Sequence, residues 1–245
     1  AHIAPFRRER EDDPAVFAAQ KERLERDYGA SVTVVPNPDV VDISSTEVRA
    51  ALAQGGGEDM LPPAVWGYIR REQLYGTHTD LKRLTPDELR PVALSYLKPK
   101  RMPHVLGTEQ EAVRLAEKYG ADVTKARVAA LLHDCTKKLD MAEQLALCER
   151  YRIPLDELER KALKLLHSKT GAAIARDVFA VDDEVYNAIL YHTTGKQDMT
   201  LLEKIIYLAD YIEPTRDFPG VEELRRTVYE DLDRGLLLGL TMTIQ

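Results

Sequence analysis

Three pairs in the second part of the chain, Thr108 with Glu111, Asp140 with Glu143 and Thr200 with Glu203, carry capping-box spacing, and each opens an amphipathic run. No strand-like alternation follows Thr85, and Gly120, Pro154, Gly195 and Pro214 supply matching stop signals. Beyond Thr85 the chain is therefore committed to an all-α bundle, with seven or eight helices expected between residues 85 and 245.

The first 76 residues read differently. A charged helix ends at Tyr28-Gly29, a β-branched run SVTVVP follows as a strand, and a turn rich in Pro and Asn comes next. Ser44 and Glu47 have capping-box spacing and open a helix that runs to about Gln54, before Gly55-Gly56-Gly57. A further short helix follows Pro62-Pro63 and ends near Leu74-Tyr75-Gly76, and residues 77–84 are polar enough to serve as a linker. The expected fold class is mainly α: a helical bundle, residues 85–245, preceded by a partial α/β segment, residues 1–76.

Composition narrows the function. The formal net charge is −7 and neither part of the chain is basic, which argues against a broad nucleic-acid surface but leaves room for a pocket that takes a small phosphate ligand. Two cysteines cannot build a disulfide framework and fit a reducing compartment. The first residues lack the apolar core of a signal peptide, and the longest apolar stretch, near GLLLGLTMTIQ, is too short to span a bilayer. A cytoplasmic protein without membrane or nucleic-acid partners is expected, its oligomeric state left open, a homo-oligomer included.

Four of the six histidines, His104, His133, His167 and His192, fall at the ends of helical runs rather than on their apolar faces. Asp134 follows His133 directly, and Asp210 sits inside the apolar run IIYLADYI, where an ionised carboxylate is expensive without a compensating cation. Any one of these histidines alone is more often a core or surface residue than a ligand. Together they match the way a bundle gathers side chains from different helices onto one metal centre, and imidazole with carboxylate suits Fe, Mn, Zn or Ni better than Ca or Mg.

The series His104, His133-Asp134, Lys137, His167, His192 and Asp210 resembles the HD-domain metallophosphohydrolases. Within that superfamily the strings KRMPHVLGT, AALLHDCTKKL, LLHSKTGAAIARDVF, AILYHTTG and KIIYLADYIEPTRDFPGVEELR are similar to the bacterial symmetrical diadenosine tetraphosphate hydrolases. The resemblance implies a dinuclear metal site, iron in the first instance and manganese or another divalent metal otherwise, with His104, His133, Asp134, His167, His192 and Asp210 as ligands. Cys135 stands where the family usually has an aromatic or aliphatic residue, and the family usually continues to a last basic element beyond position 245. Two such metals would supply hydroxide to a phosphorus of the polyphosphate chain, with Asp134 as the bridging ligand. Asp134 and Lys137 are the catalytic candidates. Arg101, Lys138 and Arg216 are candidates for the phosphate oxygens, Thr193 and Thr194 for hydrogen bonds to them, and Tyr207, Tyr211 and Phe218 for either adenine stacking or core packing.

A second resemblance lies in DISSTEVRAAL and LPPAVWGYIRREQLYG, which look like the C-terminal part of nicotinate mononucleotide adenylyltransferases, Rossmann-like enzymes of NAD synthesis. It implies nucleotide contacts from Ser44, Ser45, Thr46 and Arg49, at a helix N-terminus where the dipole favours anions. The Gly-rich opening and paired histidines of that family are absent from these 245 residues. The expectation is a fragment of a bifunctional protein, active as the hydrolase on a small nucleotide and inactive as the transferase. The alternatives are an adenylyltransferase, an HD hydrolase of another nucleotide, and a nucleotide-sensing module without turnover.

Overall fold

A computed structural model of the chain describes residues 2–3, 14–33 and 43–244. The chain divides into two compact units, residues 1–60 and 61–245. In the first, β1 (His2–Ile3) runs parallel to β2 (Ser31–Val32), with His2 opposite Ser31 and Ile3 opposite Val32. Parallel neighbours need a crossover, and α1 (Pro14–Tyr28) lies within it. Of the expected strand SVTVVP only the first two residues are extended partners of β1; positions 34–36 lie outside the described residues. In α2 (Ser45–Ala53) the expected capping box is complete: the Glu47 amide donates to the Ser44 hydroxyl at 3.2 Å, and the Ser44 amide donates to the Glu47 carboxylate at 2.8 Å.

The second unit is a bundle of α3 (Pro63–Arg71), α4 (Pro86–Leu94), α5 (Met102–Tyr119), α6 (Val123–Leu132), α7 (Met141–Arg150), α8 (Leu163–Phe179), α9 (Asp183–Leu190), α10 (Leu201–Ile212), α11 (Val221–Glu230) and α12 (Leu232–Ile244). Nine helices follow Thr85 among the described residues, where seven or eight were expected. Asp231, extended at φ −154° and ψ 115°, separates α11 from α12, and the capping box of Thr85 with Glu88 gives α4 its own start. The boxes at Asp140 and Thr200 form as expected, and Gly120 ends α5 in the left-handed region at φ 77°.

The expected start at Thr108 does not occur. The helix is already running from Met102, with Pro103 in its first turn, so Thr108 is buried and its hydroxyl donates to the His104 carbonyl at 2.9 Å. Glu111 accepts from the Tyr229 hydroxyl at 2.7 Å instead of reaching back to a cap. The core lies where α5, α6, α9 and α10 meet, around Leu115, Leu131, Leu132, Ile189, Ile205 and Leu208, each fully buried. Such burial contributes roughly 1.5–3 kcal/mol per large apolar side chain. No described helix is long and apolar enough to cross a membrane.

The boundary between the units falls ahead of the 77–84 segment that the sequence suggests as a linker, because α3 packs on α4. A side-chain network joins α4, α5 and α6. The buried Glu109 carboxylate accepts two bonds from Arg90, at 2.8 and 2.9 Å, and one from Arg127 at 3.0 Å. Glu109→Ala removes the acceptor common to both guanidinium groups and is expected to cost about 2 kcal/mol, the usual range for hydrogen bonds to charged groups. Urea unfolding checks it, a change below a few tenths of a kcal/mol counting against the network.

Candidate metal centre

The six residues singled out in the sequence come together although they arise on five separate segments. His104 lies in the first turn of α5, His133 caps α6 with Asp134 just beyond it, His167 is near the start of α8, His192 follows α9, and Asp210 is in α10. Each of the four imidazoles spends its Nδ1 on an acceptor. His133 donates to the Ala130 carbonyl at 2.6 Å, His167 to that of Lys164 at 2.8 Å and His192 to that of Ile189 at 2.6 Å. His104 donates to the Glu213 carboxylate at 2.9 Å. An Nδ1 proton so placed puts the lone pair of each neutral ring on Nε2, and all four Nε2 atoms face inward.

Those inward atoms are too close to be comfortable without a shared cation. His104 and His133 approach Nε2 to Nε2 at 3.3 Å, and His167 and His192 at 3.1 Å. Asp134 lies between the pairs. Its Oδ2 is 3.6 Å from His133 and 3.9 Å from His104, while its Oδ1 is 3.3 Å from His167 and 3.8 Å from His192. Asp210 Oδ1 is 3.0 Å from His104 Nε2 and 3.8 Å from His133 Nε2. Asp134 Oδ1 is buried with no hydrogen-bond donor. A proton relieves one such contact at a time; a metal ion relieves three or four, so the donor set fits a metal. Three groups are compact enough to hold one: His104, His133 and Asp134; His133, His192 and Asp210; Asp134, His167 and His192.

Protonation agrees with that picture. Burial pushes His133 down to about 3, so its ring is neutral at physiological pH, and burial also lowers His167. Burial opposes ionisation of Asp134, but the His133, His167 and His192 rings and the Lys137 ammonium hold its carboxyl well below the usual range. Burial likewise opposes ionisation of Asp210, and the His104, His133 and His192 rings hold it far down. The centre thus favours two carboxylates beside a neutral His133 ring, the forms that metal binding requires of those three groups.

Three cations border the cluster. Arg101 places Nη2 and Nε at 2.5 and 2.6 Å from Asp134 Oδ2, Lys137 Nζ is 2.9 Å from His167 Nε2 and 3.6 Å from Asp134 Oδ1, and Arg216 Nη2 is 2.7 Å from Asp210 Oδ1. Burial lowers the Lys137 ammonium, which Asp134 partly restores. Lys138 turns instead to the Ser95 carbonyl at 3.4 Å. Thr193 donates to Ser168 at 3.2 Å, and Thr194, exposed, donates to the Gly195 carbonyl. Tyr211 and Phe218 stack on each other with centroids 5.2 Å apart, Tyr207 meets Thr243 at 3.2 Å, and all three pack on the core or belong to it. Cys135 directs its sulfur to the Gly171 carbonyl. An apolar cavity of about 180 Å³ beside Leu84, Val128 and Phe179 contains none of the cluster residues.

The residue that sequence reading missed is Glu213. It is fully buried, and its only advance signal was a carboxylate three positions after Asp210 at the edge of an apolar run.

A helical bundle that gathers a His-Asp dipeptide, three further histidines and a distant aspartate onto one site has the residue series that resembles the HD-domain proteins. The HD domain family model matches residues 101–215. The chain belongs to the HD superfamily's symmetrical bis(5'-nucleosyl)-tetraphosphatase family: it is 42% identical over 157 residues to the Halalkalibacterium halodurans protein of that name, spanning 62% of this chain and 83% of the relative. The crystal structure of an HD superfamily hydrolase from Clostridium acetobutylicum, described as involved in NAD metabolism, is 43% identical, with a TM-score of 0.63 over 66% of this chain and 86% of that one. A Mycoplasma genitalium protein named as a probable nicotinate-nucleotide adenylyltransferase/Ap4A hydrolase is 34% identical over 161 residues, 64% of this chain and 41% of the relative.

Proposed function

We propose that this chain hydrolyses a dinucleoside tetraphosphate at its central anhydride, diadenosine tetraphosphate to two ADP, on a dinuclear metal centre held by His104, His133, Asp134, His167, His192 and Asp210. The observation that carries the reading is the convergence of four Nε2 lone pairs on a buried aspartate whose two oxygens face opposite histidine pairs. Metals bound there supply positive charge to a phosphoryl group and make water nucleophilic at neutral pH. Asp134, whose two oxygens face different histidine pairs, would help to hold both ions. Imidazole and carboxylate donors suit Fe, Mn, Zn or Ni alike; iron is proposed first, and manganese or another divalent metal next, on the resemblance to the HD-domain hydrolases.

The bordering cations do the remaining electrostatic work. Arg101, Lys137 and Arg216 are partly exposed while each touches an anionic or imidazole ligand, so each can exchange part of that contact for a substrate phosphate oxygen. Lys138, Thr193 and Thr194 are assigned to more distant substrate contacts. One water is consumed: its oxygen joins one of the two central phosphorus atoms, and the bridging oxygen leaves with the other phosphate and a proton. The expected early products are therefore ADP alone, read by chromatography of diadenosine tetraphosphate digests. Equal AMP and ATP, or comparable release of phosphate from simple monoesters, would reject the symmetrical assignment.

A second reading concerns the amino-terminal unit. The parallel pairing of β1 and β2 around α1, and the combined name of the mycoplasmal relative, support an adenylyltransferase-like origin for residues 1–76, of which 61–76 pack with the helical bundle, joined in sequence through 77–84 to a hydrolase of residues 85–245. Ser44, Ser45, Thr46 and Arg49 are its proposed nucleotide contacts; the Ser44 hydroxyl is engaged by the Glu47 amide in the capping box. The test is formation of dinucleotide from ATP and nicotinate mononucleotide by this chain, with no turnover expected, because an open α/β site draws its loops from several strand ends.

A further inference from the structure

The four imidazoles are not held alike. His133, His167 and His192 each donate Nδ1 to a neutral main-chain carbonyl three residues back, whereas His104 donates to a carboxylate, that of Glu213, at 2.9 Å. A carboxylate behind a ligating imidazole fixes the ring and raises its basicity more than a carbonyl does.

Glu213 is itself rigidly held. Its side chain is fully buried, with Oε2 accepting from the Thr215 amide at 2.6 Å and Oε1 from the Thr215 hydroxyl at 2.6 Å. Arg225 clamps the surrounding turn by donating to the carbonyls of Ile212, Glu213 and Arg216, each at 2.9 Å. On the opposite side α5 leaves room for it: a Cβ at Gly107 would meet Glu213 Oε2 at 2.5 Å. The position of a glycine within α5 is thus matched to the carboxylate that supports His104.

The carboxylate donors are uneven in the same sense. Asp210 Oδ1 lies 3.0 Å from His104 Nε2 and 3.8 Å from His133 Nε2, so that pair has Asp210 as well as Asp134, while His167 has Asp134 and the Lys137 ammonium, 2.9 Å from its Nε2. The Arg101 and Arg216 guanidinium groups pair with the Asp134 and Asp210 oxygens on the first side, so net charge does not rank the two positions; the ranking rests on the additional carboxylate donor and on the Glu213 carboxylate behind His104.

We infer that Glu213 is a positioning residue that acts through His104 to make the His104/His133/Asp210 side the tighter of two unequal metal positions; the inference rests on the dinuclear reading. The full chain loaded with Co²⁺ and competed at equilibrium against a chelator tests it without recourse to activity. Two classes of one ion each are expected, with His104→Ala abolishing the tighter and His167→Ala the weaker. Glu213→Gln weakens the tighter class by about 10–100-fold, the usual scale for a supporting partner of a ligand, and leaves the weaker within about threefold. In the His104→Ala background the same substitution changes nothing further, which a merely structural role would not reproduce.

Equal shifts of both classes, or no shift of the tighter one, would overturn the role of Glu213. Loss of the tighter class in His167→Ala would overturn the ranking, and that arm decides even if Glu213→Gln does not fold. One Co²⁺ per wild-type chain, by contrast, overturns the dinuclear reading.

Discussion

Asp134→Asn is expected to lose bound metal and hydrolysis together, with kcat/KM on the central anhydride down by on the order of 10³-fold or more, equivalent to about 4 kcal/mol of transition-state stabilisation. The side chain keeps its shape but loses the anionic oxygens that face both histidine pairs, Oδ1 at 3.3 Å from His167 and Oδ2 at 3.6 Å from His133. Its amide nitrogen would also point N–H groups at a cation on one side or the other, whichever way the amide turns. Because one residue faces both pairs, loss on only one side is not expected. Metal analysis of the purified variant beside steady-state rates decides the matter: full metal content with full activity would show that the cluster is not the reaction centre. His133→Ala is expected to behave in the same way, since its Nε2 belongs to two of the three compact donor groups.

Gly67→Ala should be among the most damaging single-methyl changes in the helical unit, costing about 3 kcal/mol or more. A Cβ at Gly67 would stand 1.8 Å from the Pro91 carbonyl oxygen, 2.2 Å from its carbon and 2.6 Å from the Val92 nitrogen. All three are main-chain atoms, so no side chain can rotate away, and α3 would have to leave α4. Overpacking that side-chain adjustment can relieve costs roughly 1–3 kcal/mol, and this case lacks that relief. Thermal and urea unfolding of the full chain provide the measurement, and a loss below about 1 kcal/mol would mean that the α3–α4 contact is looser than the structure has it. The same result bears on domain organisation, because the contact is what joins residues 61–76 to the bundle rather than to the unit before it.

Much of the helical unit could be read directly from residues. Capping boxes at Asp140 and Thr200, the glycine stop at Gly120 and the proline after Glu213 are local devices, each formed within one turn of chain, and they stand where the sequence put them. Thr108 is the instructive exception. Its spacing with Glu111 satisfies the same rule, yet a helix already begun at Met102 leaves no free amides for it to cap, and tertiary partners took both side chains.

The metal cluster was legible for a different reason. Histidines at helix ends and an aspartate within an apolar run are costly unless something compensates them, and that cost shows in a one-dimensional sequence. Glu213 was not legible, because its meaning lies in a partner 109 residues away in sequence and in the absence of a side chain at Gly107. The boundary of the helical unit was hidden for the same reason. Polar residues at 77–84 look like a linker, whereas the decisive fact is the close passage of two backbones at Gly67 and Pro91. Sequence by itself determined the helical character after Thr85, most of the caps and which residues could hold a metal, since these follow from local hydrogen bonding and from the expense of burying charge. Only the tertiary structure decided which oxygen of Asp134 meets which histidine pair, which imidazole has a carboxylate behind it, and where the bundle begins, because each depends on distances between segments remote along the chain.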